Sequence, residues 1–393
     1  MTAVEEKGFA GWPSFDDDER AAVESVLRSG RVNYWTGAEG RAFEQEFAAY
    51  GGVKHAVALA NGTVALEGAL YALGIGPGDD VVVPCRTFIA TASAVVMRGA
   101  RPVVADIDAD TQNVTAATVR ASLTPATKAC IVVHLSGWPC EMDEIMAIAR
   151  EHDIKVIEDC AQAHGATYRD RPVGSFGHVS AWSFCQDKIM TTGGEGGMLL
   201  TDDDAIWERV WSYKDHGKDY ALMHQPSADP GFRWVHGGFG TNWRMTEMQS
   251  ALGRIQLRKL PNWSALRRRN AAILDEHLTP VRGLRVSVPP SHVQHAYYKY
   301  YVRVDPKCLK PDWNRDRIMR EMITRGVPCF TGVCPEIYRE QAFVESGYAP
   351  SASFETARRW GDTSLMFMVH PTLTEQDMHR TAEALRNVMS EAT

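Results

Sequence analysis

The chain has 393 residues, 45% apolar and 23% charged, enough for two domains or for one large domain with a smaller companion. A formal net charge of −7 argues against nucleic acid as a general partner, because phosphate backbones need a basic surface. No run of about 18 apolar residues marks a membrane span, and Met1 to Lys7 lacks the basic and apolar regions of a secretory signal, so a cytoplasmic protein is expected.

Phe15-Asp16-Asp17-Asp18-Glu19-Arg20 opens a helix, since acids suit a helix N-terminus, and Gly30 ends it. Arg31 to Gly37 follows as a loop expected to expose two aromatics, Tyr34 and Trp35. From His55 the pattern becomes strand, glycine turn, helix: His55 to Ala60, then Asn61-Gly62-Thr63, then Val64 to Leu73. A glycine and a hydroxyl residue at a helix start form either an ordinary cap or a phosphate site, because the first-turn N–H groups are free. Val81-Val82-Val83-Pro84 is a second strand, followed by Cys85-Arg86-Thr87-Phe88 and a helix through Met97. Phe88 after a strand is either a core residue or a ring that stacks on a flat ligand.

Pro102 to Asp106, Ala129 to His134 and Ile154 to Ile157 are further near-continuous apolar strands with helical segments between them. Such alternation predicts an α/β fold with a mostly parallel sheet covered on both faces. His134 and Trp138 close one of these strands at the end where ligands bind. Glu158 and Asp159 end the next apolar run and, being adjacent on a strand, point to opposite faces. Asp159 lies 29 positions before Lys188, room for a strand, a turn and a second strand.

Lys188 sits between the apolar runs Val179 to Phe184 and Met198 to Leu200, just before Gly193-Gly194-Glu195-Gly196-Gly197. Four glycines in five positions imply a backbone that turns sharply or approaches a ligand closely. A lysine fixed beside such a loop is either a solvated side chain or a Schiff-base nucleophile. Trp211 to Trp243 is irregular and aromatic-rich, and Met245 to Asn262 follows as a helix expected to pack in a dimer interface. The composition shifts after about residue 270, placing a large domain at 1–265 and a small α+β domain at 266–393. In the latter, Ala296 to Val304 is strand-like, with helices at Trp313 to Arg325 and Thr374 to Met389.

Several nucleotide and metal motifs are absent. There is no G-x-x-x-x-G-K-[ST], and Gly74-Ile75-Gly76-Pro77-Gly78 misplaces the third glycine of a dinucleotide fingerprint. The thirteen histidines and eight cysteines show no metal-ligand spacing, so no metal is expected and the thiols fit a reducing compartment.

Five stretches, in order, resemble the DegT/DnrJ-type sugar aminotransferases, pyridoxal 5′-phosphate (PLP) enzymes of fold type I. They are Asn61-Gly62-Thr63, Arg86 to Ala92, Ile157 to Gln162, Ser183 to Gly197, and Gly240-Thr241-Asn242-Trp243-Arg244-Met245. The resemblance implies a seven-stranded sheet domain, with Lys188 as the Schiff-base lysine and general base and Asp159 on the pyridine nitrogen. It further implies Phe88 stacked on the ring, Gln162 beside it, and Gly62, Thr63 and Ser183 at the phosphate. Asn242 would reach the phosphate in a neighbouring subunit, making the protein a homodimer. The donor implied is glutamate or glutamine. The acceptor implied is a 3- or 4-keto-deoxy sugar on a nucleoside diphosphate, for surface glycans or antibiotic sugars. Some relatives use a keto-cyclitol or free keto sugar. Relatives that dehydrate sugars carry histidine in place of the lysine, so Lys188 favours amino transfer; a PLP-binding regulator should lack the full set of site residues or carry an added DNA-binding domain. Trp35, His134, Lys214 and His216 are candidate substrate residues, with Arg233 and Trp234 as further nucleotide contacts. Cys185-Gln186-Asp187 before the lysine and the doubled glycine at Gly193-Gly194 depart from common family spellings.

Overall fold

The computed structural model describes residues 8–226 and 231–393. Nine strands fall in the first half: β1 (His55–Leu59), β2 (Asp80–Pro84), β3 (Arg101–Ala105), β4 (Thr127–Val133), β5 (Lys155–Asp159), β6 (Thr167–Tyr168), β7 (Arg171–Pro172), β8 (Val179–Ser183) and β9 (Gly197–Thr201). Seven of them form one sheet in the order β1-β9-β8-β5-β4-β2-β3. Only β9 runs against its neighbours, and the remaining pairings in the sheet are parallel. The strands from β2, β4, β8 and β9 are buried almost throughout, as their unbroken apolar runs require of a sheet covered on both faces.

Helices α1 (Asp17–Ser29), α2 (Glu39–Gly51), α3 (Gly62–Ala72), α4 (Ala90–Met97), α5 (Ala116–Ala121), α6 (Met142–Glu151), α7 (Asp204–Tyr213) and α8 (Tyr220–His224) accompany this sheet. The capping box of Asp16 and Glu19 starts α1, and Gly30 in the left-handed conformation ends it. The next helix, α9, runs from Glu247 to Leu278, well beyond the Asn262 that the sequence suggests. Its buried stripe continues through Leu260, Trp263, Ala271, Leu274 and Leu278, and this apolar continuity carries the helix past Pro261. Residue 265 therefore falls inside a helix shared by both parts of the chain. Much of the face assigned to a dimer interface is covered by α1 and α2 of the same chain: Gln256 donates to Glu19 (2.8 Å), and Arg254 pairs with Glu39 and Glu46 (both 2.6 Å).

The C-terminal part holds β10 (Leu284–Val286), β11 (Val293–Gln294), β12 (Tyr300–Val304) and β13 (Ser364–Phe367), with α10 (Arg315–Thr324), α11 (Gln341–Glu345), α12 (Glu355–Thr363) and α13 (Glu375–Ala392). Strands β10, β12 and β13 form an antiparallel sheet whose core includes Ile318, Met322, Leu385 and Val388. The strand expected from Ala296 begins only at Tyr300. Residues 296–298 are instead held as a loop by the turn after β4, with Ala296 N–H donating to Gly137 O (2.9 Å) and Tyr298 N–H to Ser136 O (2.8 Å). Ile337, Tyr338, Phe343, Ala357 and Trp360 pack into the core beneath the main sheet. Ile337 N–H donates to Cys85 O just past β2 (2.9 Å) and Trp360 Nε1 to Ala109 O after β3 (3.1 Å), which pins this part of the chain at the carboxyl ends of those strands, where open α/β sheets bind ligands.

Candidate active site

The loop between β8 and β9 carries Lys188 and is tied at both ends. Phe184 N–H donates to Gly196 O (2.8 Å) and Gln186 N–H to Gly194 O (2.9 Å), while Gly193 and Gly194 adopt positive φ of 88° and 127° that favour glycine. Two distant elements grip the lysine's neighbourhood. Trp12 Nε1 donates to Lys188 O (2.8 Å), and Thr191 N–H donates to Gln256 Oε1 of α9 (2.7 Å). The Lys188 side chain is only 18% exposed, so it is not a solvated surface lysine. Its Nζ lies 3.6 Å from Asp187 Oδ1 and 5.1 Å from the centre of the Tyr298 ring.

At the end of β5 the two acids diverge, as period-two alternation demands. Glu158 is fully buried and accepts from Gly174 N–H (2.7 Å), Phe176 N–H (2.8 Å) and Gly177 N–H (2.6 Å). It also meets His134 Nε2 at 2.9 Å. Because His134 Nδ1 accepts from Cys140 N–H (3.0 Å), Nε2 carries the proton and donates to Glu158. Burial pushes the Glu158 carboxyl up, but His134 and the backbone donors outweigh it and hold the pKa below the ordinary value. His134 is therefore not a pocket residue. Its ring is completely buried and holds Glu158, the carboxylate that accepts from the 174–177 amides.

Asp159 faces the other way, with Oδ2 accepting from the Thr91 hydroxyl (3.0 Å) and Oδ1 from Ala161 N–H (3.2 Å). Thr91 has spent its own proton on Asp159, so Thr87 donates to it across 2.9 Å. Burial dominates here and raises the Asp159 pKa, with Ala161, Thr91 and Lys188 offsetting it only in part. Gln162 nearby spends its side-chain oxygen on Ser136 N–H (2.7 Å), which leaves its amide NH₂ as the free end.

A third element closes the site. Asn61 caps α3 by accepting from Val64 N–H (3.0 Å), so Gly62 and Thr63 occupy the first turn, where N–H groups have no intrahelical acceptor. A Cβ on Gly62 would stand 2.7 Å from that of Ser183; glycine is what lets this turn sit against the end of β8. Phe88, just before α4, is 65% exposed although it follows a fully buried strand.

The other candidates part ways. Lys214 is 1% exposed, paired with Glu44 (2.8 Å) and lying over the Tyr34 ring (4.4 Å), so it stabilises the fold and has no surface to offer a sugar. Tyr34, expected at the surface, is instead buried, its hydroxyl donating to Glu44 (3.0 Å). Trp35 donates to Asp215 Oδ2 (2.5 Å), and its ring carries Lys218 at 4.3 Å. His216 is exposed in the left-handed region (φ 61°), with its N–H on Thr241 O (2.9 Å). Asp215 pairs through its backbone with Asn242, and its buried carboxylate accepts from Trp35, Lys218 and Arg244. Trp243 O in turn receives Ala60 N–H (2.8 Å), so the Asn242 arm is stitched directly to the strand that feeds the Gly62 turn. Arg233 donates to Leu222 O, and Trp234 is exposed. A cavity of about 210 Å³ lined by Trp35, Trp207, Trp211 and Tyr220 lies beside His55, at the opposite end of β1 from the Gly62 turn, and includes neither Lys188 nor Asp159.

Sequence reasoning missed Thr91, Trp12 and Tyr298. All three act through tertiary contacts, and none stands out by spacing.

The chain matches the DegT/DnrJ/EryC1/StrS aminotransferase family over residues 13–386. It is 37% identical over 384 residues to GDP-perosamine synthase of Caulobacter vibrioides, covering 96% of this chain and 97% of that one. To the spore coat polysaccharide biosynthesis protein SpsC of Bacillus subtilis it is 34% identical over 391 residues, covering 97% and 96%. Its fold superimposes on the solved aminotransferase of Psychrobacter cryohalolentis with a TM-score of 0.96 at 52% identity, covering 98% of this chain and 99% of the other.

Proposed function

The chain belongs to the DegT/DnrJ/EryC1/StrS aminotransferase family, and from that premise we propose that it aminates a nucleotide-linked keto-deoxy sugar at a PLP site built on Lys188 and Asp159. Glutamate or glutamine is the amino donor. The observation that supports this reading is that a shielded lysine, a buried carboxylate that feels its charge, and a helix N-terminus packed against Ser183 ahead of the lysine's loop come from three separate elements.

The residues present fit PLP. Asp159 is a buried carboxylate with two neutral donors and a raised pKa, a site that gains from a protonated ring nitrogen set against it. The α3 N-terminus suits a phosphate, through Gly62, Thr63 and the adjacent Ser183. Phe88 presents an uncovered ring face, and the Gln162 NH₂ is free to meet a ring substituent. When bound, PLP supplies an electron-withdrawing pyridinium ring. Asp159 keeps that nitrogen protonated. Lys188 would anchor the cofactor, and its Nζ, once free, would take the proton from the donor's α-carbon and deliver it to the cofactor's carbon, not back to the donor. A lysine at this position, where dehydrating relatives have histidine, supports amino transfer.

The acceptor is inferred from the relatives' names, one a GDP-linked amino sugar synthase and one a polysaccharide biosynthesis protein. A homodimer is supported by Phe232, Trp234 and Phe239, exposed at 77%, 83% and 100%, on the segment that leads into Asn242. Asn242 would then serve the partner's phosphate. A cytoplasmic setting is supported by eight unpaired cysteines; among the described residues no helix is long and apolar enough to cross a membrane.

Two outcomes test the reading. PLP-loaded protein incubated with L-glutamate and a panel of UDP-, dTDP- and GDP-linked keto-deoxy sugars yields an amino sugar and 2-oxoglutarate in equal amounts; no product from any sugar, with no change in the visible spectrum on adding glutamate, would overturn it. Phe88→Ala weakens PLP binding by about 0.5–1.5 kcal/mol, roughly two- to twelvefold. Its melting temperature without PLP stays unchanged, because the ring is already exposed.

A further inference from the structure

We propose that Asp187 is a second working carboxylate of the site, the group that holds the Lys188 ammonium each time the lysine takes up a proton. The inference rests on Lys188 being the cofactor lysine and goes beyond it, because Asp187 belongs to the stretch that departs from the family's usual spelling.

The geometry is built from two distant parts of the chain. Asp187 Oδ1 lies 3.6 Å from Lys188 Nζ. The hydroxyl of Tyr298 donates to Asp187 Oδ2, which fixes the carboxylate from the C-terminal part. Tyr298 is held in turn by its N–H on Ser136 O (2.8 Å), and its ring lies 5.1 Å from Nζ. Burial and the neighbouring Asp187 push the Tyr298 hydroxyl well above its ordinary pKa, so it stays a donor. Burial pushes the Asp187 carboxyl up as well, but Lys188, Tyr298 and Lys299 outweigh it and keep it ionised.

The other charged and titratable groups near Lys188 do not supply this service. Asp159 is buried and reserved for the ring nitrogen. His164 is buried, and its pKa is driven down to about 3 by burial, Lys188 and Arg267, so it is neutral. Lys299 lies 4.7 Å from the Tyr298 ring centre and adds positive charge. A lysine that accepts a proton from the donor's α-carbon becomes an ammonium, and Asp187, fixed through Oδ2 by Tyr298, turns Oδ1 to within 3.6 Å of it. The proton stays on Nζ until it is handed on to the cofactor's carbon; Asp187 forms no covalent bond and changes no oxidation state. Because its side chain is 56% exposed, solvent screening keeps the effect moderate.

The test uses the full-length protein without PLP. Acetic anhydride labels free amines, and the Lys188 peptide is quantified by mass spectrometry against that of exposed Lys128 in the same digest. Asp187→Asn removes the charge at nearly constant shape, and Lys188 labels about threefold to tenfold faster at neutral pH. Asp187→Glu restores the slower rate. With PLP bound, Asp187→Asn slows the half-reaction at saturating glutamate by about threefold to tenfold and leaves the half-saturating glutamate concentration unchanged. Equal Lys188 labelling in wild type and Asp187→Asn would overturn the proposal, as would a Glu variant that behaves like the Asn one. PLP uptake by the wild-type protein is scored separately by visible absorbance. Its absence would defeat the cofactor reading, whereas the labelling result speaks to Asp187 alone.

Discussion

Lys188→Ala is expected to lose amino transfer by at least about 10³-fold, since it removes both the cofactor's anchor and the general base. The loss is chemical rather than structural. Trp12 bonds the carbonyl of residue 188 and Gln256 the amide of Thr191, and neither contact uses the lysine side chain. The loop therefore keeps its course, and stability changes by about 1 kcal/mol or less. The measurement is product formation from glutamate and keto sugar, beside the visible spectrum of the PLP-treated variant and its melting curve. Wild-type turnover in a folded Ala variant would show that another amine does the work.

Asp159→Asn is expected to act with opposite signs on stability and on catalysis. The folded-state pKa of Asp159 lies above that of an unfolded aspartate. The apoprotein therefore loses stability as pH rises from about 4, the unfolded aspartate's range, through the raised folded value. Asparagine keeps an oxygen for Ala161 N–H and an NH₂ for the Thr91 hydroxyl but carries no charge. Without PLP the variant is more stable than wild type by about 1–2 kcal/mol at neutral pH, and the difference vanishes below about pH 4. With PLP the charged hydrogen bond to the ring nitrogen is lost, which costs about 1.5–3 kcal/mol and roughly 10- to 150-fold in turnover. Thermal unfolding across pH, with and without PLP, reads both signs. An apoprotein destabilised at pH 7 by this change would mean that Asp159 already has a cationic partner.

How much of this was legible in the sequence depended on whether local rules decided the outcome. Seven apolar runs became the seven strands of the main sheet because burial on both faces leaves strands no alternation to hide. The divergence of Glu158 and Asp159 followed from strand periodicity, and one met the loop under the sheet while the other met Thr91. The Asn61 turn was visible because a capping residue and a glycine mark a helix start.

Positions decided by long-range packing were not legible. His134 ends a strand on the ligand side, yet Glu158 on the neighbouring strand draws its ring into the core. Lys214 looked like a nucleotide contact in an irregular segment, but Glu44 from α2 buries it. Ending the helix at Asn262 missed the true length of α9, whose buried stripe continues past Pro261 into contacts with distant parts of the chain. Nothing local placed Tyr298 beside Asp187; its tether is Ser136, in the turn after β4, 162 residues earlier (298 − 136).

Borohydride reduction of PLP-loaded protein, followed by peptide mapping, tests the central claim most directly. The account predicts a single phosphopyridoxyl group, fixed on Lys188. A label on any other lysine, or an unmodified Lys188 peptide from protein whose visible spectrum shows bound PLP, would contradict it.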